Sequence, residues 1–221
     1  LFGDLLDIPA DQIIMGGNAS LNLMFDTLAF LLLFGTEGKK PWADERAQGR
    51  PVKFLCPVPG YDRHFTICEE LGVEMIPVPL LSDGPDMDLV TRLVKEDEQI
   101  KGIWCVPLHS NPQGVCYSDK TVDTLASMTT AADDFRIFWD NAYVIHHLYD
   151  DKQDEILDII SECEKAGNPD MVFEFASTSK VSFPGSGIAA LASSEANLAD
   201  IKKSLTIQTI GYDKLNPVSY T

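Results

Sequence analysis

The sequence predicts a layered α/β domain with a mostly parallel β-sheet, and two observations carry that expectation. From Pro51 onward, short apolar runs of strand length alternate with longer segments of helical apolar spacing, the pattern of helices packed on a sheet. Polar residues able to do chemistry fall directly after the apolar runs. In such sheets ligands gather beyond the carboxyl ends of the strands.

Taken in order, Leu1 to Pro9 reads as a helix end or connector, and residues 12–20 as a short lead-in followed by a glycine turn. Apolar spacing predicts a helix over 21–34, closed by Gly35, with Asn18 or Ser20 as its N-cap. A helix start preceded by glycines exposes unpaired N–H groups and the positive end of the dipole, which suits a phosphate. Residues 36–50 read as a polar loop. Strands are predicted at 52–56, 73–78, 103–106, 136–139, 171–175 and 187–192, and helices at 61–71, 87–97, 118–130, 154–166 and 194–205. No repeat, low-complexity tract or domain boundary is visible, so residues 1–221 read as one unit.

Composition narrows the function. A formal net charge of −17, spread along the chain, argues against nucleic acid or an anionic membrane as partner. The apolar run 28–34 is too short to span a bilayer. Five cysteines, an odd number, form no CxxC pair; three lie in or beside apolar runs and read as small hydrophobes, which suggests a reducing cytoplasm with no zinc or other metal expected.

The densest chemistry lies in Phe173-Glu174-Phe175-Ala176-Ser177-Thr178-Ser179-Lys180, ahead of a Pro-Gly/Gly loop at 184–187. A lysine at the end of a buried strand is costly to desolvate unless it has a covalent or ionic role. A lysine of lowered pKa condenses with aldehydes, and Ser177 and Ser179 can donate to a phosphate. Other strand ends add Tyr61 after 52–56, Asn111 after 103–106, and Asp140 and Tyr143 after 136–139. Each has an ordinary use as turn former, cap or packing ring; their arrival in this order is what singles them out.

The order Gly17-Asn18-Ala19-Ser20, Pro59-Gly60-Tyr61, Asn111-Pro112-Gln113-Gly114, Asp140-x-x-Tyr143, Ser177-x-Ser179-Lys180 resembles the large domain of fold type I aminotransferases that use pyridoxal 5'-phosphate. The wording of residues 17–24 and 177–185 is most similar to a divergent bacterial class I subgroup of aspartate aminotransferases. The resemblance covers nearly the whole chain. It implies a three-layer domain with a mostly parallel mixed β-sheet, and a homodimer acting on an amino acid and a 2-oxo acid. It also implies roles. Lys180 would hold the cofactor as a Schiff base and shuttle the α-proton. Asp140 would pair with the pyridine nitrogen, Tyr143 and Asn111 would bind the ring's 3-oxygen, and Tyr61 would stack on the ring. Asn18, Ala19 and Ser20 would join Ser177 and Ser179 around the phosphate.

Two departures stand out. The arginine that many relatives place about two turns after the lysine is missing from Pro184-Gly185-Ser186-Gly187-Ile188. The family's small domain would lie beyond Thr221, so the resemblance implies the large domain of a longer enzyme. Alternatives in keeping with the same residues are the aminotransferase-like sensing domain of a transcription regulator, and a β-lyase or decarboxylase on the same scaffold.

Overall fold

The computed structural model describes residues 2–36, 38–147, 149, 151–181 and 187–212. Its strands are β1 (Ile13–Met15), β2 (Lys53–Val58), β3 (Glu74–Leu81), β4 (Gly84–Pro85), β5 (Ile100–Cys105), β6 (Arg136–Asp140), β7 (Val172–Ser177) and β8 (Ala189–Ser193). Its α-helices are α1 (Phe2–Leu6), α2 (Ser20–Phe34), α3 (Trp42–Ala47), α4 (Asp62–Glu70), α5 (Met87–Glu96), α6 (Asp119–Ser127), α7 (Ile159–Lys165) and α8 (Glu195–Gln208).

The strands form one sheet in the order β1-β8-β7-β6-β5-β2-β3-β4. The central five, β7 to β3, are parallel, while β1, β8 and β4 run antiparallel to their neighbours. This is the three-layer, mostly parallel mixed sheet that the sequence led us to expect. Successive residues of the central strands serve opposite faces, and both faces are buried, as a helix-covered parallel sheet requires. Ile137 and Trp139 pack toward α5, α6 and α7. Phe138, Phe173 and Phe175 pack toward α2, α3, α4 and α8.

An aromatic row on the second face ties the central strands together: Phe54 to Trp104 at 5.9 Å, Trp104 to Phe138 at 4.8 Å, and Phe138 to Phe175 at 5.6 Å. Gly102 makes room for it, since a Cβ there would lie 2.4 Å from the Phe54 ring.

The chain reverses its progress across the sheet after β3. It leaves β2 for β3 on one side and returns to lay β5 on the other. The switch point between β2 and β5 is where a crevice opens in folds of this kind.

Four details depart from the sequence reading. The polar stretch 36–50 contains α3, anchored by buried contacts that no local pattern reveals. Trp42 Nε1 donates to Asp134 Oδ2 at 2.8 Å, and Lys101 Nζ lies 2.9 Å from both Glu45 Oε1 and Asp134 Oδ1. Helix α7 begins after Asp158, whose carboxylate accepts from the Ile160 and Ser161 N–H groups; that cap, and not Asp154, sets the start. The N-cap of α2 is Ala19, with no side-chain cap bond, where Asn18 or Ser20 was the expectation. The two-residue β4 follows no hydrophobic pattern and pairs only with the end of β3.

Candidate active site

Beyond the carboxyl ends of β5, β6 and β7 lies a cavity of about 210 Å³ lined by residues from five separate parts of the chain. Ala19, Ser20, Tyr61, Asn111, Asp140, Tyr143, Ser177, Ser179 and Lys180 all line it. Asn18 does not line it, but its carbonyl accepts a hydrogen bond from Ser179 Oγ at 3.0 Å. The structure thus brings together residues 161 positions apart in sequence.

Asp140, the last residue of β6, is buried. Its Oδ2 accepts from His64 Nε2 at 2.9 Å, while Oδ1 is buried with no hydrogen-bond partner among the described residues. His64 is itself buried, and its ring stacks on Trp104 at 4.4 Å between centroids with 7° between planes. Because a carboxylate only accepts, the shared proton resides on Nε2. A buried carboxylate with one bare oxygen is costly unless something else supplies a donor.

The Tyr143 phenol is pushed above its usual range, first by burial and then by the nearby Asp140 charge, with a hydrogen bond to Asn111 opposing both. Lys180 Nζ lies 5.9 Å from the Tyr143 ring centroid. Lys180 is exposed, so the expectation of an ammonium desolvated by its own strand end is corrected. The short 3-10 turn Thr178–Lys180 lifts the side chain off the buried strand.

At the other end of the cavity, α2 starts without a side-chain cap. Asn22 N–H donates to the Ala19 carbonyl at 3.2 Å, and with Ala19 at the cap no side-chain oxygen competes for the N–H groups of Ser20 and Leu21. The turn before it is fixed to β8, with Gly16 N–H donating to Ala189 O at 2.7 Å and Ala189 N–H to Gly17 O at 2.8 Å. Gly187 keeps this corner open, because a Cβ there would come within 3.3 Å of Ser179 N and 3.4 Å of Asn18 O. Of residues 184–188, where the arginine was sought in the sequence, 184–186 lie outside the described residues.

Sequence reasoning missed three contributors. His64 had a faint signal, lying three residues after Tyr61 at the start of a helix and so on the same face. His146 Nε2 donates to the Lys180 carbonyl at 3.1 Å and packs against Tyr143 with ring centroids 5.5 Å apart; nothing local marks it. Glu174 is fully buried on β7 and accepts from Asn141 Nδ2 at 2.8 Å. Burial pushes its carboxyl up to about 8, against a smaller opposing effect of the Asn141 hydrogen bond.

Comparison with known proteins accords with this geometry. The aspartate amino-transferase family profile matches residues 1–220. A Mycolicibacterium smegmatis protein provisionally named an aminotransferase is 46% identical over 221 residues, and an aspartate aminotransferase of Corynebacterium glutamicum is 43% identical over 221. All of this chain aligns, against 50% of each relative, so the chain spans about half the length of the curated relatives it matches. The crystal structure of an aspartate transaminase from Corynebacterium glutamicum superposes with a TM-score of 0.94 at 43% identity, covering 99% of this chain and 50% of that one.

Glu174 generates a prediction about pH. Folded, it keeps its proton to about pH 8; unfolded, it loses it near the ordinary value of 4.5. The folded state therefore binds the extra proton between those values, and stability falls as pH rises through that window. Glu174→Gln removes the effect while keeping an acceptor for Asn141. Urea unfolding across the window should show wild type losing, relative to the variant, on the order of a few kcal/mol. A difference that stays constant with pH contradicts the assignment.

Proposed function

The chain belongs to the aspartate aminotransferase family, and from that premise we propose that its cavity holds pyridoxal 5'-phosphate and serves amino-group transfer between an amino acid, in the first instance aspartate, and a 2-oxo acid. The observation that carries the proposal is Asp140, a buried carboxylate with Oδ2 held by His64 and Oδ1 left bare. A cationic heterocyclic N–H is the donor that completes it. The uncapped start of α2 and the corner kept open by Gly187 fit an anionic group at the other end. In this reading residues 1–221 form the cofactor-binding large domain.

When bound, the cofactor supplies an aldehyde that condenses with amines and a cationic ring that draws electrons from the substrate's α-carbon. The chain's residues divide the remaining work. Asp140 Oδ1 accepts the ring N–H and keeps that proton in place, while His64 prevents the carboxylate from turning away. The Tyr143 hydroxyl and the Asn111 amide would bind the ring's 3-oxygen, and Tyr61 would cover the ring. Lys180 Nζ would hold the cofactor covalently and would move the proton at the substrate's α-carbon. Its exposure in this chain fits a group that bound ligand covers. Ser20, Ser177, Ser179 and the first N–H groups of α2 bind the phosphate.

Five free cysteines suit a reducing, cytoplasmic setting. No helix among the described residues is long and apolar enough to cross a membrane. The exposed Leu33, Phe34 and Ile207 offer apolar surface of the kind a homodimer buries.

Borohydride reduction of the purified protein followed by peptide mapping tests the attachment. The pyridoxyl group should map to Lys180; a label on Lys202 or Lys203 overturns the assignment. Addition of aspartate should shift the visible absorbance and release a 2-oxo acid. A shift without that product points instead to a lyase or a sensing domain.

Phosphate recognition gives a second expectation. Among the described residues lining the cavity, Lys180 is the cation, so affinity for the dianion is spread over neutral donors. Charge-assisted hydrogen bonds contribute about 1.5–3 kcal/mol each. Ser20→Ala, Ser177→Ala and Ser179→Ala should then each weaken cofactor retention by roughly tenfold to a hundredfold, measured by dialysis and absorbance. Retention like wild type in all three variants contradicts distributed binding.

A further inference from the structure

The loop after β5 carries a second cluster, built from groups the proposed reaction does not use. His109 Nδ1 lies 3.5 Å from Cys116 Sγ and 3.9 Å from Asp154 Oδ2, and the three ligand atoms all fall within 4.8 Å of one another. Two chemistries could explain an imidazole between a thiol and a carboxylate. A nucleophilic relay needs both ring nitrogens, one for the nucleophile and the other for the carboxylate that orients the ring. Here both partners converge on the same nitrogen. That arrangement passes no proton along the ring, but it does aim three donors at one point.

The distances suit a metal. Bond lengths of about 2.3 Å to sulfur and about 2.0–2.2 Å to nitrogen and oxygen at tetrahedral angles place N and S about 3.5 Å apart, and N and O about 3.4 Å apart. The N–S edge already has that length, and the N–O edge closes with a small movement of Asp154, whose side chain is 53% exposed. Thiolate, imidazole and carboxylate together are a donor set for a borderline-soft divalent cation. One thiolate and one carboxylate balance its two charges. His147 adds a further donor: its ring centroid is 6.3 Å from that of His109, and its Nδ1 is buried with no hydrogen-bond partner among the described residues.

We propose that His109, Cys116 and Asp154 form a zinc site, with His147 or water in the fourth position. The expectation of no zinc rested on the lack of a CxxC pair. The site escapes that test because its ligands come from two loops, seven and then 38 residues apart in sequence. Binding replaces the Cys116 thiol proton, which passes to solvent, with a bond to the metal. The metal joins the loop bearing Asn111 to the segment between β6 and α7. It therefore acts as a clasp on one wall of the cavity, and its existence does not depend on what the cavity binds.

Untagged full chain, stripped with a chelator, is titrated with zinc sulfate against a chromophoric chelator and separately with cobalt(II). The expected result is one zinc per chain, a thiolate-to-cobalt charge-transfer band, and one thiol protected by zinc from a disulfide reagent. Cys116→Ser should lose the band and the protected thiol. Asp154→Asn, at an exposed position tolerant of the change, should keep the band and bind zinc at least about tenfold more weakly. No zinc bound at equimolar concentration, a band that survives in Cys116→Ser, or unchanged affinity in both variants with normal circular dichroism overturns the site.

Discussion

The hydrogen bond between His64 and Asp140 is the constraint on which the site depends. A carboxylate at the end of a central strand has lost most of its hydration, and the penalty is offset only by donors fixed around it. His64 supplies one donor to Oδ2 and is held flat by its stacking on Trp104, itself a member of the aromatic row across the sheet. The chain of support runs from core packing to ring orientation to one bare oxygen. Removing the Trp104 indole would loosen the histidine before it touched the carboxylate.

The topology places the rest. The change of direction between β2 and β5 leaves a crevice at the carboxyl ends; the end of β6 delivers Asp140 there, and the segments leaving β2, β5 and β7 deliver Tyr61, Asn111 and Lys180. Antiparallel β1 and β8 bring the start of α2 to the same side, through the paired hydrogen bonds at Gly16, Gly17 and Ala189. A helix start without a side-chain cap and a strand end with a carboxylate thus line one cavity. That pairing is what the proposed function draws on: an anionic group near the helix start and a cationic donor at the carboxylate.

Much of this was legible in the sequence because strand ends are marked twice, by the close of an apolar run and by the polar residue that follows. Tyr61, Asn111, Asp140, Tyr143, Ser177, Ser179 and Lys180 could all be picked on that basis, and all line the cavity. What was not legible depends on distant partners. Helix α3 exists because Trp42 and Glu45 meet Asp134 and Lys101, and His64 matters because of a residue 76 positions away. The α2 cap was misread for a different reason. Propensity favours Asn or Ser at an N-cap, yet the cap is Ala19 with no side-chain bond; under the proposed function, a start left open for an anion favours a residue that does not compete.

The central claim is that Asp140 Oδ1 receives the N–H of a cationic ring. The direct measurement is nitrogen-15 magnetic resonance of the protein loaded with pyridoxal 5'-phosphate labelled at the ring nitrogen. Wild type should show a protonated nitrogen throughout the neutral pH range, and Asp140→Ala a neutral one. A neutral ring nitrogen in wild type, or one still protonated in the variant, would contradict the account.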